Sequence, residues 1–214
     1  MSRISKEPAV RRKELIDIAQ KLFIMNGYEA TSVKDILTEV NGAPGMFYYY
    51  FPSKEEIFKA AMVQYIDEYV TRINVILGDR LHSIPERIQN LLCLIRTTFD
   101  EYLFASNNHN SIESFGRDIM VSMRILNQIA DSVENIIVEA IEIGLIRNSD
   151  IPSQKIRQLA LFIIYGTYGI LHDGSENGLS IELIDKNMDS IIPLVSSILG
   201  IRSEEHTFEL QSPP

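Results

Sequence analysis

Cysteine is almost absent from this sequence. A single one, Cys93, excludes any internal disulfide. Flanked by apolar residues in L-L-C-L-I, it is expected to be buried. Histidine is equally sparse. His82, His109, His172 and His206 lack metal-ligand spacing, and neither HExxH nor CxxC occurs, so no metal and no cofactor is expected. G-x-S-x-G and G-x-x-x-x-G-K-[ST] are missing too, which leaves no motif for an enzyme. The longest strongly apolar run, Leu159 to Leu171, is 13 residues and is interrupted by Gly166 and Gly169. A bilayer span needs about 20. Met1 to Gly27 is charged and amphipathic, without the apolar h-region of a signal peptide. These absences describe a soluble, cytoplasmic protein without a membrane partner. No alternating run of useful length occurs, so strands are not expected.

What is present is an ordinary globular composition, 45% hydrophobic and 23% charged, with an uneven distribution of charge. The formal net charge is −9, yet residues 1–60 carry nine Lys+Arg against eight Asp+Glu. The acid excess therefore lies entirely beyond residue 60. At the N-terminus Arg3, Lys6, Arg11, Arg12 and Lys13 face only Glu7. Residues 1–10 are read as a basic arm, a plausible electrostatic footprint on phosphate.

Residues 32–54, S-V-K-D-I-L-T-E-V-N-G-A-P-G-M-F-Y-Y-Y-F-P-S-K, punctuate the chain most sharply. Val33, Ile36, Leu37 and Val40 share one helical face. Ser32 caps that helix and Asp35 completes a capping box. Asn41-Gly42 breaks it, because both residues tolerate the left-handed conformation. Pro44 restarts a helix at its first turn, Pro52 ends it, and S-K-E-E caps the next. Two short helices around a Gly-containing turn form a helix-turn-helix over about residues 33–52. Successive side chains on the second helix point about 100° apart, so three consecutive tyrosines cannot all be core. Phe47 and Phe51 define the buried side. Tyr49 then faces outward, with Tyr48 and Met46 flanking and Gly45 permitting close backbone approach. A phenol can contact a phosphate and a ring can pack on a thymine methyl. No Arg, Asn or Gln lies on this helix, so the strongest bidentate base readers are absent.

The rest of the chain reads as helices, giving an all-α fold of about nine. One helix precedes the motif, from Pro8 to Asn26. A long one runs from Ser53 to about Leu77, and another opens at Pro85. A helical region spans about 112–143, with Gly116 as a possible kink or break. Two helices follow, from about residue 152 to Asp173 and from Ser180 to Leu199. The domain expectation is a DNA-binding domain over 11–70 and a ligand-binding and dimerisation domain over 71–201. Among the middle helices Tyr65, Tyr69, Phe99 and Tyr102 supply aromatic candidates for a ligand pocket. Phe115, Met120 and Met123 add softer ones, and Asn127 a polar handle. The last two helices are apolar almost all round, with small residues on one side of the first. That suits a four-helix bundle between two copies, using Phe162, Gly166, Gly169, Ile170, Ile191 and Val195. Residues 202–214 include R-S-E-E-H-T-F-E-L-Q-S, which resembles a translated sequencing adapter, and are read as a non-native tail.

The order N-G-Y, T-S-V-x-D-I, N-G-A-P-G-M-F-Y-Y-Y-F and P-S-K-E-E-I-F resembles the DNA-binding domain of the TetR (tetracycline-repressor-like) transcriptional regulators. The likeness covers about Arg11 to Val70 and becomes architectural beyond it. It implies a homodimer on a pseudo-palindromic DNA operator, usually a repressor, released by a small-molecule effector bound in the C-terminal domain. It also implies phosphate contacts from the Thr31 or Ser32 hydroxyl, from Tyr50 and from the Lys54 ammonium. The chain departs from the family pattern at Ala43-Pro44, where many members have Val-Ser or Val-Thr, and at Met46, where Thr is common. Pro44 joins the DNA-facing set in place of that hydroxyl. The alternative is a helical ligand-binding or protein-interaction module without specific DNA binding.

Overall fold

The computed structural model describes the backbone of residues 7–106, 112–146, 152–175 and 180–200, and the side chains of these except 100–119 and 153. Among the described residues the regular structure includes nine α-helices and a 3-10 turn at Ser153–Lys155, with no strand. The chain divides into two compact units. One comprises residues up to Val70 together with 101–125, and the other 71–100 together with Leu126 onward.

In the first unit α1 (Pro8–Asn26), α2 (Val33–Glu39), α3 (Pro44–Tyr50) and the first part of α4 (Lys54–Gly78) enclose one core. Leu15, Ala19, Phe23, Ile36, Leu37, Phe47 and Phe51 are buried there, joined by Ile57 and Ala61 of α4. The first three helices, two of them only seven residues long, bury too little apolar surface to stand alone, and α4 supplies what they lack. A polar ladder joins α1 to α4 beside this core. Gln64 donates to Asp17 (2.7 Å) and to Gln20 (2.8 Å), and Gln20 donates to Glu68 (2.8 Å).

The helical region expected over 112–143 is two helices, α6 (Ile112–Gln128), whose residues up to Ile125 belong to the first unit, and α7 (Ala130–Glu142) of the second. The break falls at Ile129, not at Gly116. Ile129 leaves the helical path at ψ −5° and is buried, with Ala130, in the interior. Gly144 at φ +74° ends α7, and the Leu145 and Ile146 N–H groups both donate back to the Ala140 carbonyl. After a 3-10 turn, α8 (Ile156–Leu171) packs on α7 and on α9 (Ile181–Leu199). The α8–α9 corner is closed by Asn187, whose amide donates to the carbonyls of Leu171 (3.4 Å) and Asp173 (2.9 Å). On α5 (Ile84–Ser106), Leu92 and Leu94 are buried while Cys93 between them is exposed. The expectation of a buried thiol fails because a helix turns by about 100° per residue.

The sequence reading also missed a buried cation. Arg87 on α5 is 2% exposed. Its guanidinium forks onto Glu139 of α7 and donates to the Leu77 carbonyl at the end of α4 (2.8 Å). The Leu77 carbonyl is one of those a helix end leaves without an internal partner. Hydrogen bonds from Arg87 hold the Glu139 carboxyl below its ordinary range. Removing one partner of a buried pair strands the other, at about 3–5 kcal/mol. Glu139→Ala should therefore lower the unfolding free energy by about that much, and Arg87→Met with Glu139→Leu should cost far less. Urea titration checks both. Because the folded carboxyl has the lower pKa, its contribution is present above the unfolded value and is lost as pH falls through the folded one. Glu139→Gln should thus flatten the acid-side fall of the thermal midpoint.

Candidate nucleic-acid interface

The α2–turn–α3 motif is built from local chemistry. Ser32 accepts from the Asp35 N–H (3.2 Å), while the Ser32 N–H donates to the Asp35 carboxylate (2.8 Å), so the box is reciprocal. The Ser32 hydroxyl also donates to that carboxylate (2.6 Å), and these bonds hold the Asp35 pKa down. Asn41 alone takes the left-handed turn, at φ +50°. Gly42 serves a different need. A Cβ there would stand 2.3 Å from the Met46 methyl and 3.0 Å from Leu37 and Val40 side chains. Pro44 occupies the first turn of α3, where its missing N–H breaks no bond. Phe51 leaves the helix in extended conformation, as a residue before proline prefers.

The core fixes the rotation of α3. Phe47 is 0% exposed and Phe51 2%. Tyr48 is then 61% exposed and Tyr49 74%. Tyr50 is half-buried with its ring edge-on to Tyr49 (4.8 Å). Ala43, Pro44 and Gly45 are exposed. Met46 sits between the two environments, half-buried and packed against the core.

Two basic residues lie over aromatic rings. The Arg12 guanidinium lies 4.8 Å from the centre of the Phe51 ring. Lys54 Nζ lies 4.2 Å from the centre of Tyr28 and reaches the Glu29 carbonyl at 3.5 Å. Tyr28 in turn packs on Phe23 and Phe58, so Lys54 is held at the start of α4 by the core beneath it. Just beyond the arm, Arg11 and Lys13 pair with Glu14 and Asp17 within α1, which offsets their positive charge. Arg3 and Lys6 lie outside the described residues.

Thr31 requires correction. Its side chain is buried, and the hydroxyl donates toward the carbonyls of Gly27 (2.8 Å) and Leu22 (3.1 Å). It closes the C-terminal end of α1 and offers phosphate nothing. The Ser32 hydroxyl is exposed, but its proton is taken by Asp35.

The other candidates scatter. Tyr65 and Tyr69 stack on α4 (6.2 Å), and Met123 is half-buried. Phe99 meets the His172 ring edge-on, Asn127 accepts from the Tyr165 hydroxyl (3.0 Å), and Met120 is exposed. The side chains of Tyr102 and Phe115 lie outside those described. On α8, Phe162, Gly166 and Gly169 are exposed and Ile170 is half-buried. On α9 Val195 is half-buried. Ile191 was expected at an interface but is buried against Leu92, Leu171, Ile184 and Met188 of its own chain. The outward apolar residues of α9 are Leu194 and Ile198, and Tyr165 adds to those of α8. Periodicity could have found them, had the inward face been set first by Ile184 and Met188.

Residues 15–61 match the family model described as bacterial regulatory proteins, tetR family. This N-terminal domain belongs to the tetR family. The chain is similar to the uncharacterized HTH-type transcriptional regulator YuxN of Bacillus subtilis (strain 168), 43% identical over 63 residues, or 29% of this chain and 22% of that protein. The HTH-type transcriptional repressor KstR2 of Mycolicibacterium smegmatis is 34% identical over 85 residues, 40% of this chain and 41% of that one. The chain thus spans less than half the length of these relatives. Among solved structures, a transcriptional regulator from Cytophaga hutchinsonii superposes with a TM-score of 0.68 at 18% identity, covering 88% of this chain and 98% of that one. That likeness extends the shared all-α fold beyond the TetR-type domain.

The geometry separates scaffold from surface on α3. Phe47→Ala should cost about 3–5 kcal/mol, enough to unfold the first unit, as thermal denaturation followed by circular dichroism would show. Thr31→Ala should cost about 1 kcal/mol by removing its hydrogen bonds to part-buried carbonyls.

Proposed function

We propose that the protein is a ligand-responsive transcriptional repressor. It binds a pseudo-palindromic DNA operator as a homodimer and is released by a small molecule bound in its C-terminal helices. The observation that carries this reading is the pair Tyr48 and Tyr49, exposed on a TetR-type α3 whose opposite face is locked by Phe47 and Phe51. Two large aromatic side chains turned to solvent are unfavourable unless something covers them. A second helix of a helix-turn-helix presents such a face to the major groove. Several relatives are named repressors, among them KstR2 and the DhaR repressor of Mycobacterium sp. (strain GP1).

Dimerisation is supported by α8. Gly166 and Gly169 have no neighbour within 4 Å of where a Cβ would stand. Nothing among the described residues requires them, although glycine within a helix costs about 0.5–1 kcal/mol relative to alanine. Their use becomes clear if a second α8 crosses there, beside the exposed Phe162. Two copies would then offer two α3 helices to half-sites about 34–36 Å apart. The effector must favour a form of the dimer that no longer meets that spacing, a coupling typically of about 1–3 kcal/mol. The acid excess beyond residue 60 suits a neutral or cationic effector.

Footprinting on the DNA flanking the gene should show a protected dyad with centres about one helical turn apart. Absence of any protected dyad would favour the helical ligand-binding or interaction module instead. Light scattering at micromolar concentration should give twice the 24.4 kDa chain mass, and Phe162→Asp should return it to the single-chain value. A wild-type monomer would refute the dimer.

A further inference from the structure

We propose that α3 reads its half-site through the C5-methyl groups of thymine and not through hydrogen bonds to guanine. The inference rests on the reading of α3 as the helix that enters the major groove. The outward surface of α3 and its cap consists of Ala43, Pro44, Gly45, Tyr48 and Tyr49, all exposed. None carries a charge or a side-chain amide. Guanine is recognised bidentately by Arg or Lys at O6 and N7, and adenine by Asn or Gln at N6 and N7. This surface has neither. Its only polar side-chain atoms are two phenol oxygens, each with one proton to give. Lys34 is exposed within the motif but lies on α2, not on α3, and the flanking cations lie over aromatic rings, Arg12 on Phe51 and Lys54 on Tyr28.

This surface pressed on a guanine edge removes two acceptors from water and returns at most the one proton of a phenol, which leaves an acceptor unpaired and is unfavourable. The same surface pressed on a thymine removes a methyl group from water, which is favourable. Thymine is the one base that shows a methyl in the major groove. The chemistry of the face therefore sets the sign of the preference.

Gly45 sharpens the assignment. Its φ is not left-handed, and a Cβ there would meet nothing within 4 Å among the described residues. Neither backbone nor packing demands glycine. Tyr48 and Tyr49 stand three and four residues further on, on the same helical face. The missing Cβ leaves open space at the foot of both rings, of the size of the group proposed to enter it.

The test uses the full chain and duplexes selected from a random-sequence library. Each selected duplex is compared with one carrying deoxyuridine for thymine and one carrying 7-deazaguanine for guanine. Deoxyuridine should weaken binding by about fourfold per contacted methyl, the factor for one buried CH₂. Substitution of 7-deazaguanine should leave affinity within about twofold. Gly45→Ala should keep or raise the thermal midpoint, weaken binding and bring the thymine-to-uracil ratio toward one. Equal affinity for uracil duplexes, a tenfold or greater loss with 7-deazaguanine, or an unchanged ratio in Gly45→Ala would each overturn the proposal while leaving DNA binding standing. Failure to select any duplex would overturn the DNA-binding reading and this inference with it.

Discussion

The helical period makes the burial of Phe47 and Phe51 decisive. Two rings four residues apart, sealed under α1, α2 and α4, leave a seven-residue helix no freedom to rotate. Tyr48 and Tyr49 must then point to solvent, whatever they are to meet there. The surface offered by α3 follows from the packing behind it. Arg12 seated on Phe51, and Tyr28 under Lys54, extend that packing to two basic residues that flank the motif.

The same economy recurs where helices end. Thr31 satisfies carbonyls at the close of α1, Arg87 takes one at the close of α4, and Asn187 takes two around the close of α8. Each is a buried or nearly buried polar group whose task is to meet orphaned backbone. Such residues hold the lengths and corners of the helices. Arg87 does so while carrying a charge, and Glu139 is the partner that makes this tolerable.

Much of this was legible in the chain. Capping at Ser32, the turn at Asn41-Gly42 and the Pro44 start are local events, and local chemistry decides them. The inward side of α3 was legible because two phenylalanines fell on it and three tyrosines could not. Thr31 was misread because its hydroxyl is claimed by carbonyls of α1, which is tertiary information. Ile191 was misread for a related reason. A helix apolar on most sides gives no single inward direction, and only the positions of Leu92 and Leu171 choose one. Arg87 was invisible because a cation in a helix ordinarily reads as surface. The break at Ile129 carries neither Gly nor Pro to announce it.

The central claim is that scaffold and reading surface are divided between adjacent residues of one short helix. Tyr49→Ala tests it most directly, with duplex affinity and thermal midpoint measured on the same preparation. The account predicts at least a tenfold loss of affinity, with the midpoint within about one degree of the wild type. Undiminished affinity, or a midpoint that falls in step with binding, would contradict it.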